Sequence, residues 1–196
     1  MSTTTVRSES TRSREMSGPV LGMVLFVASE AMFFAAFFAA FFTIRSTANV
    51  WPPPSIGPRK IDVATILTII LVASSGTVQL SLRTIRQGKL RTAQVWLGAT
   101  LLLGVTFLAL QLYDYSQLGF GLKDGTFGTL FYVMTGIHMA HVLGGVVFLA
   151  IVFGQMTGGL LSRDHHDPLA AGAIYWDFVD VVWLCLFAVF YLLTPR

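Results

Sequence analysis

From residue 20 to the C-terminal end, this chain alternates long apolar runs with short polar breaks. Five runs, 20–43, 61–82, 93–113, 127–153 and 171–193, are each long enough for a helix to cross a hydrocarbon core of roughly 30 Å at about 1.5 Å per residue. Lipid offers no hydrogen bonds to a backbone, so a spanning segment must satisfy its own amides, and the pattern predicts an all-α, polytopic membrane bundle of five transmembrane helices. The breaks agree with this. Pro52, Pro53, Pro54 and Pro58 in WPPPSIGPRK forbid helix between the first two runs and leave Trp51 at interfacial depth. The second and third runs are parted by Arg83, Arg86, Lys89 and Arg91, the third and fourth by SQLGFGLKDG, and the fourth and fifth by SRDHHDP. Residues 1–18, polar and rich in Ser, Thr and Arg, read as a flexible tail, and 19–196 as one transmembrane domain. The run after the tail is too long for the apolar part of a secretory signal. An organelle transit peptide fits the tail's composition, but Glu9 and Glu15 count against it.

Five crossings put the two ends on opposite sides. The tail, second loop and fourth loop hold eight Lys and Arg residues and the other side holds five, which predicts the N-terminus inside and the C-terminus outside. No internal repeat suggests an inverted-repeat transporter.

Ionisable groups inside the runs carry the candidate chemistry, because a carboxylate near mid-membrane costs several kcal/mol unless it has a partner. Glu30 stands alone in VLGMVLFVASEAMFFAAFFAAFFT. At 100° per residue, Gly22, Ala28, Ser29, Ala35, Ala36, Ala39 and Ala40 share one side of that helix, the usual look of a packing face. Glu30 falls instead within the arc of Phe33, Phe34, Phe37, Phe38, Phe41 and Phe42, so both sides are expected to meet protein. His138 and His141, three apart in TGIHMAHVLGG, share a face with Met134 and Gly145. In the predicted orientation Glu30 and His138 both lie roughly 16 Å from a helix end, which predicts a hydrogen bond from Glu30 to His138 or His141. Asp177 and Asp180 in AIYWDFVDVVW fall in the inner half of the last span, where a loop partner such as the basic second loop, His165 or His166 is expected for Asp177. Asp114, between Tyr113 and Tyr115 and near Gln111, reads as an anchor at the outer interface.

Composition narrows the classes. With 54% hydrophobic and 12% charged residues the chain is no soluble domain with a single anchor. Its net charge of +3 lies in residues between apolar runs, where membrane orientation accounts for it without nucleic acid. Cys185 has no disulfide partner and, within an apolar run, reads as packing. No helix sets an acid three residues before a histidine in the bundle core, as di-iron bundles do, and two histidines on one helix cannot reach opposite faces of one haem iron. No Cys-x-x-Cys-His, phosphate loop or Ser/His/Asp grouping is present. Two readings of Glu30 with the histidines remain: a polar network that fixes helix register, and a proton relay.

The strings FVASEAMFF, WPP, LVASSGTVQ, LQLYDYSQLGF, DGTFGTLFYVMTGIHMAHVLGG, HH and YWDFVDVVWL occur in the order found in subunit III of the haem-copper oxidases of the cytochrome c oxidase type, and the chain resembles the short, five-helix bacterial form of that family. The resemblance implies an accessory subunit without metal centres of its own, packed on subunit I, in an enzyme complex whose haem and copper lie in subunits I and II. The family's carbodiimide-reactive glutamate falls on Glu30, and its paired histidines on His138 and His141. The role implied is support of proton uptake and protection during turnover, partly through bound phospholipid, in a bacterial cell membrane and with a larger respiratory supercomplex as a further setting. Two positions depart from the family's pattern: Asp177 stands where His is usual, and Asp114 where Glu is common. Subunit III of a quinol oxidase and an accessory protein of nitric oxide reductase share the pattern. An independent proton channel or transporter and a pure assembly scaffold are the readings from other classes.

Overall fold

The computed structural model describes residues 17–53 and 61–194. Five helices follow in order: α1 (Gly18–Thr47), α2 (Ile61–Arg86), α3 (Leu90–Gln117), α4 (Gly125–Thr157) and α5 (Asp167–Phe187), with a π-helical turn, Ala188–Leu192, continuing α5. All five are long and apolar enough to cross a membrane. Residues 1–16 of the expected tail, and Pro54 and Pro58 of the proline loop, lie outside the described residues. α1 begins at Gly18, two residues before the first apolar run.

Each helix runs past its apolar core, because the backbone ladder continues where side chains have turned polar. Arg83 and Arg86 thus complete the last turn of α2, where cations suit the exposed carbonyls. Among the helix starts, that of α5 is the largest correction. Apolarity alone begins the run at residue 171, whereas the helix begins at Asp167, with Pro168 in the first turn, where a fixed φ and a missing N–H cost nothing.

α2, α3, α4 and α5 pack each on the next, and α5 closes the ring on α2. α1 stands outside this ring and packs mainly on α5, to which it runs parallel: Phe26 meets Tyr175, Phe34 meets Phe178 and Phe41 meets Phe190. Arg45 ties the far ends together by donating to the Leu193 carbonyl at 2.8 Å. Over the most apolar stretch, 56% of α5 is buried and only 6% of α1.

Close approach at the ring's centre depends on two glycines. Trp176 is fully buried, and a Cβ on Gly104 of α3 would lie 2.7 Å from its Cη2, while one on Gly145 of α4 would lie 2.9 Å from its Cε3. Its Nε1 donates to Ser74 Oγ of α2 at 2.8 Å, so one indole touches three neighbouring helices. Toward the end where α1 and α5 finish, Phe41, Trp51, Phe127, Phe131 and Phe190 form a mostly edge-to-face aromatic cluster.

Candidate functional site

Glu30 leaves α1 toward α4, and its Oε2 lies 3.0 Å from Nε2 of His141. Of the two histidines considered as partners for Glu30, the structure brings His141 to it. The imidazole's other nitrogen, Nδ1, lies 2.8 Å from the Ile137 carbonyl one turn earlier. A carbonyl only accepts, so Nδ1 carries a hydrogen. The Oε2 to Nε2 contact then holds one proton in either of two forms: carboxylic acid with neutral imidazole, or carboxylate with imidazolium. Both forms are neutral overall, and loss of that proton would leave a bare negative charge in the membrane. Phe34 meets the imidazole edge-on at 5.0 Å between centroids, and Tyr175 of α5 donates to the His141 carbonyl at 3.0 Å. The pair is nonetheless at the edge of the bundle, with 21% of the Glu30 and 18% of the His141 side chain exposed.

His138 is separate from this pair. It faces the ring's interior, 1% exposed, with Trp183 lying over it at 5.2 Å and Phe107 edge-on at 5.9 Å. Neither ring nitrogen has a hydrogen-bond partner. Gln111 of α3 is equally buried, and both its amide oxygen and its nitrogen lack partners. Asp114 sits one turn further along α3, near the helix end, and is 5% exposed, so its carboxyl faces into the bundle. Its neighbour Tyr115 shares a 2.7 Å hydrogen bond with Thr135 of α4.

Asp177 takes no loop cation. It accepts from Ser75 Oγ at 2.7 Å and from Gln79 Nε2 at 2.5 Å, both on α2, because the earlier start of α5 sets the acid near mid-helix, beyond the loops' reach. The expected loop group His166 instead lies 3.3 Å from Arg86, its Nε2 facing the guanidinium Nε. Asp180, one turn on, is buried beside Ser75, but the single hydroxyl hydrogen of Ser75 goes to Asp177, so neither Asp180 oxygen has a hydrogen-bond partner. Among the described residues no three His, Cys, Asp or Glu side chains gather closely enough to hold a metal ion.

Sequence reasoning missed the α2 residues that serve α5: Thr68, Ser74, Ser75 and Gln79, which bond Trp183, Trp176 and Asp177. The available signal was the polar run in LVASSGTVQL opposite a helix rich in Trp and Asp. This chain leaves the small-residue side of α1 uncovered, since Gly22, Ala28, Ser29, Ala35, Ala36, Ala39 and Ala40 are all exposed, and Phe33 and Phe42 are exposed as well. Cys185, expected to pack, is exposed on α5.

The profile of the cytochrome c oxidase subunit III family matches residues 2–194. Cytochrome c oxidase subunit 3 of Thermostichus vulcanus is 36% identical over 176 residues, which cover 89% of this chain and 87% of the relative. The subunit of the same name from Synechocystis is 36% identical over 175 residues, covering 89% and 75%. That of Neurospora crassa is 38% identical over 173 residues, covering 85% of this chain but 64% of the longer relative.

Proposed function

Since the chain belongs to the cytochrome c oxidase subunit III family, we propose that it serves as the accessory, non-redox subunit of a proton-pumping haem-copper oxidase, packed on subunit I in a bacterial cell membrane. In this reading electrons pass from cytochrome c to oxygen through haem and copper held by subunits I and II. The residues of this chain suit that division of labour. His141 has both nitrogens engaged, one with Glu30 and one with the Ile137 carbonyl, and His138 lies between the rings of Phe107 and Trp183.

The observation that carries the proposal is the Glu30–His141 pair at the edge of the bundle, next to the uncovered face of α1. A proton-holding pair at an open edge is suited to acting on a neighbour, by stabilising the contact and supporting proton uptake into subunit I. The pair and the small-residue face together offer a neighbouring helix close approach and a hydrogen-bonding group. Two experiments test this. Mild-detergent purification through this chain is expected to bring down haem and copper in stoichiometric amount, and a colourless preparation without a large membrane partner overturns the reading. In the purified oxidase, Glu30→Gln is expected to slow proton uptake and shorten the enzyme's active lifetime while haem content is unchanged. If assembly fails while uptake and lifetime in the residual complex are normal, the chain is a scaffold only.

A further inference from the structure

Among the described residues, Gln111 of α3 and His138 of α4 are the most deeply buried polar side chains whose polar atoms all lack a protein partner. The two helices are antiparallel, and their register is fixed at both ends of this stretch: Phe107 meets His138, and Tyr115 bonds Thr135. Gln111 lies midway between Phe107 and Tyr115, on the same inward stripe of α3 as Phe107 and Asp114. It therefore sits at the level between His138 and Thr135. Thr135 is already engaged, donating to the Phe131 carbonyl at 2.6 Å and paired with Tyr115.

A direct bond between the two residues would not settle the count. An amide carries two N–H donors and an acceptor oxygen, and a neutral imidazole carries one donor and one acceptor. One mutual contact engages one atom of each residue and leaves the amide's other end and the second ring nitrogen orphaned. Each buried polar group left unsatisfied is costly, and buried polar groups without a protein partner are the usual hosts of internal water.

We propose that the α3–α4 interface holds an internal hydration site in which ordered water bridges the Gln111 amide and the His138 imidazole. The site lies on a polar stripe that begins at Asp114, one turn from the end of α3, and reaches the level of His138 about 10 Å deeper. His138 is one turn from His141 on the same helix, so water held there stands close to the Glu30–His141 pair without belonging to it.

The test is a map of better than about 2 Å of the detergent-purified assembly that contains this chain. Solvent density within hydrogen-bond distance of both the Gln111 amide and the His138 ring is the expected result. A dry interface, or one in which both side chains are saturated by protein groups, overturns the proposal. A second measurement uses Gln111→Met, His138→Leu and the double variant in the same assembly. If water couples the two residues, each single change lowers the thermal midpoint by roughly 2–4 °C, and the double change costs less than the sum. A midpoint that stays level or rises in Gln111→Met, as deletion of a dry orphan would produce, overturns it as well.

Discussion

The two acids of α5 lie one turn apart and differ in everything that sets the cost of losing them. Asp177 accepts from Ser75 and Gln79, and so Asp177→Ala leaves a hydroxyl and an amide without their acceptor inside the membrane, at a cost of about 1–3 kcal/mol. Asp180 accepts no hydrogen bond, and Asp180→Asn removes no partner from any protein group. Thermal unfolding of the detergent-solubilised chain should therefore show a clear drop for the first variant and little change for the second. Glu30 differs again, because its contact with His141 holds a proton on or next to a carboxyl oxygen at a partly exposed edge. A hydrophobic carbodiimide, which attacks protonated carboxyls from the membrane side, should label Glu30 in the wild-type chain. Mass spectrometry should find that label lost in Glu30→Gln, and should find Asp180, which is 5% exposed, little modified.

Helix by helix, the apolar runs were legible because desolvation imposes them: a backbone in lipid must be helical, and a helix must be long enough to cross. Glu30 and the histidines stood out for the same reason, as charges where charge is expensive. What the α1 pattern could not reveal is which face of that helix this chain covers. Small residues permit close packing but do not say whose helix arrives, and here the Gly22 to Ala40 face is bare. The partners of Asp177 were hidden differently, by pairing across 102 and 98 residues of chain that no local spacing encodes. Two glycine substitutions separate covered from uncovered faces. Gly145→Ala drives a methyl to within 2.9 Å of the Trp176 ring and should cost about 1–3 kcal/mol in the isolated chain, read as a lowered thermal midpoint. Gly22 has nothing within 4 Å of a built Cβ, so Gly22→Leu should leave that midpoint unchanged. If another subunit's helix lies on α1, the same variant lowers the yield of haem-bearing assembly purified through the chain.

Viewed whole, the molecule is electrically lopsided along its long axis. One end gathers Arg83, Arg86, Lys89, Arg91 and Arg163 with His165 and His166, while the other described end carries Arg45 and Lys123 beside an aromatic cluster. α1 and α5 run parallel and α4 opposes them, so a single orientation of α1 settles the side on which every loop lies. The Lys and Arg bias predicts that the basic end faces the cytoplasm. Single cysteines on a Cys185→Ser background test this. Gln87 and Ser116 are both exposed, the first at the basic end between α2 and α3 and the second in the last turn of α3. In intact cells a membrane-impermeant thiol reagent should modify Ser116→Cys and spare Gln87→Cys until the membrane is permeabilised. The opposite pattern would place the basic loops outside, and with them the N-terminal end of α1.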